Sequence, residues 1–303
     1  MKKLLKRATL GVGAIALLAG AALGAVSLKA NSILAQNFET HRIKLDFPDS
    51  ADQAAIERGR HLVDSRYGCA ACHGANLAGG VMLDEAPIGR LFGPNLTRGK
   101  GSVVEGYDMA EWDRSVRHGV KPSGRASLMP AEDFFRMSDA ELLDIVAYAR
   151  ALPPTDNRVD TPSLGPVGKV LLVLGKFPLA ARLQEPTRAH AAVPPETSDS
   201  SEFGQHLIAT CTGCHRQNLA GGPMPFGPPD WPAAANLTSH ESGLGTWSYE
   251  DFDRALTEGI SKDGHALKKP MTDVVAGTRQ MLPTERKAIW TYLRSLTSAP
   301  DGT

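Results

Sequence analysis

All four cysteines of the 303-residue chain sit in one arrangement written twice: Cys69-Ala70-Ala71-Cys72-His73 and Cys211-Thr212-Gly213-Cys214-His215. Two thiols one helical turn apart, with a histidine directly after them, suit one piece of chemistry. The sulfurs reach the two vinyl groups of a single porphyrin and form thioethers, and the adjoining imidazole projects onto its iron. Zinc is the competing use of four paired cysteines. It is disfavoured because the pairs lie far apart, each opens its own segment and each carries its own His. A thioredoxin-like dithiol needs a strand–helix–strand setting that the sequence lacks, and a disulfide scaffold needs many more cysteines per residue. The spacing predicts two covalent c-type haems. Cys69 and Cys72 hold one, Cys211 and Cys214 the other, with His73 and His215 as axial ligands.

A methionine thioether opposite histidine is the pairing that electron-transfer haems use, and it raises the potential. Met129 lies 56 residues beyond His73, and Met271 lies 56 beyond His215. Equal offsets predict equal roles as sixth ligands, although Met129 precedes a proline and Met271 follows one. Met82 and Met224, nine residues past each His, form a rival pair better suited to packing at the haem edge. His265 is the alternative to Met271. His61 and His206, at matching points ahead of each motif, are expected at the surface or facing haem propionates. His118, like His265, lies near a Met segment. Each ligating imidazole needs a partner for its other nitrogen, and the carbonyls of Pro94 and Ala235 are placed to serve.

The elements that position these residues are also duplicated. Gly59-Arg60-His61-Leu62 returns as Gly204-Gln205-His206-Leu207, and Asn95-Leu96-Thr97 as Asn236-Leu237-Thr238. Trp112-Asp113-Arg114 with Gly119 returns as Phe252-Asp253-Arg254 with Gly259. Each copy reads as three helices around long loops. In the first copy, Ser50 with Gln53 opens a helix reaching about Ser65, Asp108 with Glu111 opens one ending near Gly119, and Ser138 with Glu141 opens the last, stopped by Pro153-Pro154. In the second, helices are expected over 200–210, 248–258 and 284–296. No alternating run is long enough for a sheet, so the expectation is all-α. Connections such as 75–106 are too long for a compact domain unless they wrap a non-peptide body. An aromatic content of only 6% points the same way.

Boundaries follow: an N-terminal segment over 1–35, a first domain over 48–153, a Pro-rich strap over 154–197 and a second domain over 198–298. The strap carries the apolar run Val170–Leu174, too short to span a membrane, and is expected to pack on both copies. Lys2, Lys3, Lys6 and Arg7 precede an uncharged run from Ala8 to Leu28. Its length suits a bilayer-spanning helix with the body on the far side. A cleaved signal peptide is the competing reading. Either way the body is exported. With 33 basic and 33 acidic residues the formal charge is zero, which argues against a nucleic-acid partner.

On these motifs, together with Gly93-Pro94-Asn95-Leu96-Thr97, Leu128-Met129-Pro130 and the closing Tyr148 and Tyr292 segments, the sequence resembles the class I cytochrome c family. The duplication resembles membrane-anchored dihaem cytochromes c and the cytochrome c subunits of bacterial membrane alcohol, aldehyde and gluconate dehydrogenases. The resemblance implies two tandem helical domains, each clasping a haem with one edge exposed. It implies single-electron transfer on the periplasmic face of the inner membrane, between a dehydrogenase and an oxidase or soluble cytochrome. A dihaem peroxidase with an open second haem is the alternative.

Overall fold

The computed structural model describes residues 2–40, 43–183, 189–224 and 231–302. It begins with helix α1 (Lys2–Leu34), whose stretch Gly13–Leu34 is long and apolar enough to cross a membrane. The side chains of the basic flank lie outside the described residues.

The first copy starts with α2 (Gln53–His61), continued by a π-helical turn over Leu62–Arg66. Its cap is Asp52, whose carboxylate accepts from the Ala55 amide at 3.0 Å, so the helix opens two residues later than the Ser50 spacing suggests. The attachment motif forms a single turn, α3 (Ala70–His73). Helices α4 (Met109–His118) and α5 (Asp139–Ala151) carry the expected capping boxes, Asp108 with Glu111 and Ser138 with Glu141. The strap holds α6 (Pro166–Val173) and α7 (Ala180–Leu183). The second copy repeats the order with α8 (Ser201–Leu207), a 3-10 turn Ile208–Cys211, α9 (Thr212–His215), α10 (Tyr249–Glu258), α11 (Met271–Thr278) and α12 (Pro283–Ser295).

The first and last helices of each copy cross at a glycine. A Cβ on Gly59 would meet the Asp144 carbonyl at 1.9 Å, and one on Gly204 the Ala288 carbonyl at 2.0 Å. Only glycine lets the two backbones come this close. Each crossing organises a core. Leu62, Val63, Trp112, Leu142 and Val146 fill the first, and Phe203, Leu207, Phe252, Ile289 and Leu293 the second.

The all-α expectation needs one correction. Strands β1 (Gly80–Glu85), β2 (Gly89–Gly93) and β3 (Ser163–Leu164) form a three-stranded antiparallel sheet in the order β1-β2-β3. Two strands are a short hairpin and the third is a dipeptide supplied by the strap. No segment is long enough to show alternation in sequence, and the pairing forms because the strap is delivered alongside.

The strap also departs from expectation. Among the described residues its hydrogen bonds to the rest of the chain run to the first copy: Asn157 N to the Lys100 carbonyl, Gly165 N to that of Ile88, and the Ala191 and Ala192 carbonyls to the amides of Asp139 and Ala140. Its apolar run forms α6, which packs with the end of α1 in a third core of Ala30, Ile33, Leu91, Leu164 and Leu172. Leu91 comes from β2, so this core joins α1 and the strap to the first copy.

The two copies dock on each other through a reciprocal pair of contacts. His61 of α2 donates to Glu285 of α12 at 2.9 Å, and His206 of α8 donates to Glu141 of α5 at 3.1 Å. These four positions correspond pairwise in the duplication, so the interface is isologous in the manner of a two-fold dimer. It corrects the expectation of surface or propionate-facing histidines. Glu141 also holds the buried Arg66 guanidinium. Burial pushes the Glu141 carboxyl up. The His206 hydrogen bond, the Arg66 and His206 charges and the Ser138 amide outweigh that, holding it down at about 2 against an ordinary 4.5. A depressed carboxyl contributes stability that is complete above about pH 4.5 and is lost as the pH falls toward 2. In urea unfolding of the haem-loaded protein, Glu141→Gln is expected to lower the midpoint at pH 6 and to flatten its fall between pH 6 and 3. Parallel curves for the two proteins would show that this carboxylate carries none of the acid sensitivity.

Candidate functional site

Each attachment motif folds as one helical turn, which brings both cysteines to the same side and leaves the histidine at its end. Before haem is attached, burial pushes the Cys69 and Cys211 thiols up to about 12. Among the described residues the four sulfurs do not gather with one another or with His into a shared ligand cluster. That agrees with two separate sites and removes the joint zinc reading.

The histidines are fixed from behind. His73 Nδ1 donates to the Pro94 carbonyl at 2.9 Å, and His215 Nδ1 donates to the Ala235 carbonyl at 2.7 Å. Both partners are those expected from sequence. With Nδ1 carrying the proton, Nε2 is the nitrogen with the lone pair, which is what an iron requires. Burial lowers both imidazoles, an effect partly opposed by these hydrogen bonds. Both histidines are therefore neutral and ready to ligate near neutral pH.

The carbonyls are held by the Asn-Leu-Thr motif that follows them. Asn95 is fully buried; its Nδ2 donates to the Thr155 and Asn157 carbonyls at 2.8 and 3.2 Å, while its Oδ1 accepts from the Thr97 amide at 2.9 Å. Asn236 does the same with the chain after α12: Nδ2 donates to the Ala299 carbonyl at 2.7 Å and to Asp301 at 3.1 Å, and Oδ1 accepts from Thr238 at 2.8 Å. The repeated motif marked these residues in sequence, but their clamping of the tail was not legible there. Gly93, just before Pro94, lies so close that its Cβ would meet the Cys72 carbonyl at 2.1 Å. The donor set, its fixed tautomer and the tight backbone cradle fit a covalently held haem in each copy.

The structure treats the proposed sixth ligands differently. Met129 is half-buried in the loop after α4, and its amide donates to Ser127 Oγ at 3.3 Å. The backbone after α4 and after α10 follows one register: Ser127 N donates to the Gly119 carbonyl as Leu267 N does to that of Gly259, each at 2.7 Å. In that register Lys269, not Met271, stands where Met129 stands, and Met271 stands where Ala131 does. The equal offset from each His hid this, because compensating differences in loop length lie on either side. Met271 begins α11 and packs against the second core, as Cys211 does. Met82 is 42% exposed on β1, Met224 is half-buried, and His265 is exposed at the tip of a turn closed by Ser261. His118 is buried with its ring against those of Phe135 and His190.

The copies touch at their sites too. The Asp133 carboxylate of the first copy, four residues beyond Met129, lies against Gly213 between the two cysteines of the second motif. Burial raises Asp133 to about 7, with neighbouring Glu132 adding to the effect.

Known proteins match both halves. Residues 54–148 match the family described as cytochrome c oxidase, cbb3-type, subunit III, and residues 201–297 match the cytochrome c family. The fructose dehydrogenase cytochrome subunit of Gluconobacter japonicus is 28% identical over 273 residues, 82% of this chain and 54% of that one. The cytochrome c subunit of the quinone alcohol dehydrogenase of Gluconacetobacter polyoxogenes is 29% identical over 302 residues, covering 91% and 61%. A diheme cytochrome c-type protein of Cereibacter sphaeroides is 27% identical over 252 residues, covering 75% and 81%. The chain spans little more than half the length of the first two relatives.

The clamp can be tested apart from the ligands. Asn236→Ala removes the hydrogen bonds to the Ala299 carbonyl and the Asp301 carboxylate, leaves the buried Thr238 amide without its acceptor and frees the segment bearing Ala235, a loss of roughly 1–3 kcal/mol. The expected outcome is a lower melting temperature of the haem-loaded protein, with both haems still covalently attached. An unchanged melting curve would contradict the clamp.

Proposed function

From a chain that carries two cytochrome c domains and two covalently bound c-type haems, we propose a one-electron carrier that links a dehydrogenase to a respiratory acceptor. The observation that carries this reading is the duplicated histidine geometry, an imidazole tied through Nδ1 to a backbone carbonyl in both copies. When bound, each haem supplies an iron that takes up and gives back a single electron. The chain does the rest. His73 and His215, kept in one tautomer by the carbonyls of Pro94 and Ala235, would bind the iron through Nε2. Met129 and Met271 would supply the soft thioether ligands. Buried apolar side chains such as Leu77, Leu142, Leu219 and Leu293 keep water from the sites.

The contact of Asp133 with Gly213 brings the first copy's ligand loop against the second attachment turn, which suits passage between the two centres. The dehydrogenase partner is supported by the relatives, several of which are named as cytochrome subunits of dehydrogenases. An oxidase or a soluble cytochrome is the acceptor. Helix α1, with basic residues ahead of its apolar stretch, supports anchoring in a bacterial inner membrane with the haem domains facing the periplasm.

One observation favours a second reading. Lys269 stands in the register position of Met129, so the second iron has an openable face if Met271 does not reach it, as a dihaem peroxidase requires. Met129→Ala and Met271→Ala separate the readings through visible spectra and potentials. Each variant is expected to convert one of the two haems, lowering its potential and leaving the other as in the parent. If Met271→Ala changes neither haem, and the parent shows a high-spin second haem that turns over peroxide, the carrier reading is wrong.

A further inference from the structure

A second cluster of ligating side chains lies away from both haem sites, where the strap meets α4. Asp113 and His118 lie on α4, five residues apart, and His190 comes from the strap. Their side chains are 0%, 1% and 3% exposed. His118 Nε2 and His190 Nε2 face each other at 3.0 Å. Asp113 Oδ2 lies 3.7 Å from His118 Nε2, and Asp113 Oδ1 lies 3.9 Å from His190 Nε2. One ligand atom from each residue lies within 4.8 Å of the other two, near enough to share an ion at the roughly 2.0–2.2 Å of zinc bonds to imidazole and carboxylate.

Arg117 Nε donates to Asp113 Oδ1 at 2.6 Å, and its Nη1 donates to Asp139 at 2.8 Å. One guanidinium is thus shared between two carboxylates. Arg117 also fixes Asp113 so that Oδ2 turns toward His118. Phe135 sets both imidazoles edge-to-face, with ring centroids 5.6 and 5.1 Å away. Beside His190, the Ala191 and Ala192 carbonyls accept from the first amides of α5, so the strap is already docked when the ligands meet.

We propose that Asp113, His118 and His190 form a binding site for a divalent transition-metal ion of the zinc type. Two imidazoles and one carboxylate are a donor set that such ions take, with a fourth position left to water. The site is peculiar to the first copy. In the second, Asp253 corresponds to Asp113 but is engaged by Arg286 at 2.6 Å and Tyr249 at 3.2 Å, and Glu258 replaces His118. No residue of this cluster takes part in holding haem. Its occupant would pin the strap to the first copy across 72 residues of sequence.

The test uses the full haem-loaded protein, dialysed against chelator and titrated with zinc chloride by calorimetry, with zinc content measured after desalting. The parent is expected to retain one more zinc per chain than His190→Ala, with affinity in the variant weaker on the order of 100-fold. His118→Ala should behave the same way, and all three proteins should show identical haem spectra, which verifies folding. Zinc should raise the melting temperature of the parent and not of His190→Ala. Equal zinc retention by parent and both variants, or none by the parent, would overturn the proposal.

Discussion

Everything in each copy converges on one hydrogen bond, from the Nδ1–H of the motif's histidine to a backbone carbonyl some twenty residues later. That bond decides which nitrogen faces the haem and how the ring is turned. A carbonyl can do this only if its own backbone is immobile. In the first copy Gly93 packs against the Cys72 carbonyl and Asn95 clamps the segment to the chain leaving α5. In the second, Asn236 clamps it to the chain leaving α12. The last helix is in turn held against the first at a glycine crossing, so attachment turn, carbonyl and helix pair form one rigid frame. The long connections that look unsupported in sequence are this frame's walls.

Duplication gives two such frames, and the structure uses their likeness to join them. The paired contacts His61–Glu285 and His206–Glu141 arise because equivalent residues of the two copies meet across a pseudo-two-fold. Away from that interface the copies have diverged. The carbonyl preceding the last helix is capped by arginine in both, but Arg117 on α4 serves Met137 in the first and Arg286 on α12 serves Met281 in the second. Among the described residues the strap wraps the first copy, to which it contributes β3, the backbone held by Asn95, and His190. The first copy also carries α1 through the shared apolar core of Ala30, Ile33 and Leu172.

Much of this could be read from sequence, because haem chemistry imposes rigid spacing. The attachment motifs, their histidines, the two carbonyl partners and two capping boxes are local patterns that chemistry or backbone geometry forces. The parts that escaped depend on distance. The small sheet needs a strap dipeptide that sequence places some seventy residues from its partner. The role of His61 and His206 needs a second domain to be docked. The register of Lys269 against Met129 was hidden by compensating loop lengths that only backbone hydrogen bonds expose. The meeting of Asp113, His118 and His190 needs the strap to lie on the first copy and not on both.

The central claim is that the chain holds two separate one-electron centres. It is tested most directly by a potentiometric titration of the purified, fully matured protein followed by visible spectroscopy, with electrons counted per chain. The prediction is two electrons, taken up in two one-electron steps, each accounting for half of the haem absorbance change. Uptake of one electron in total, or a single cooperative two-electron step, would contradict it.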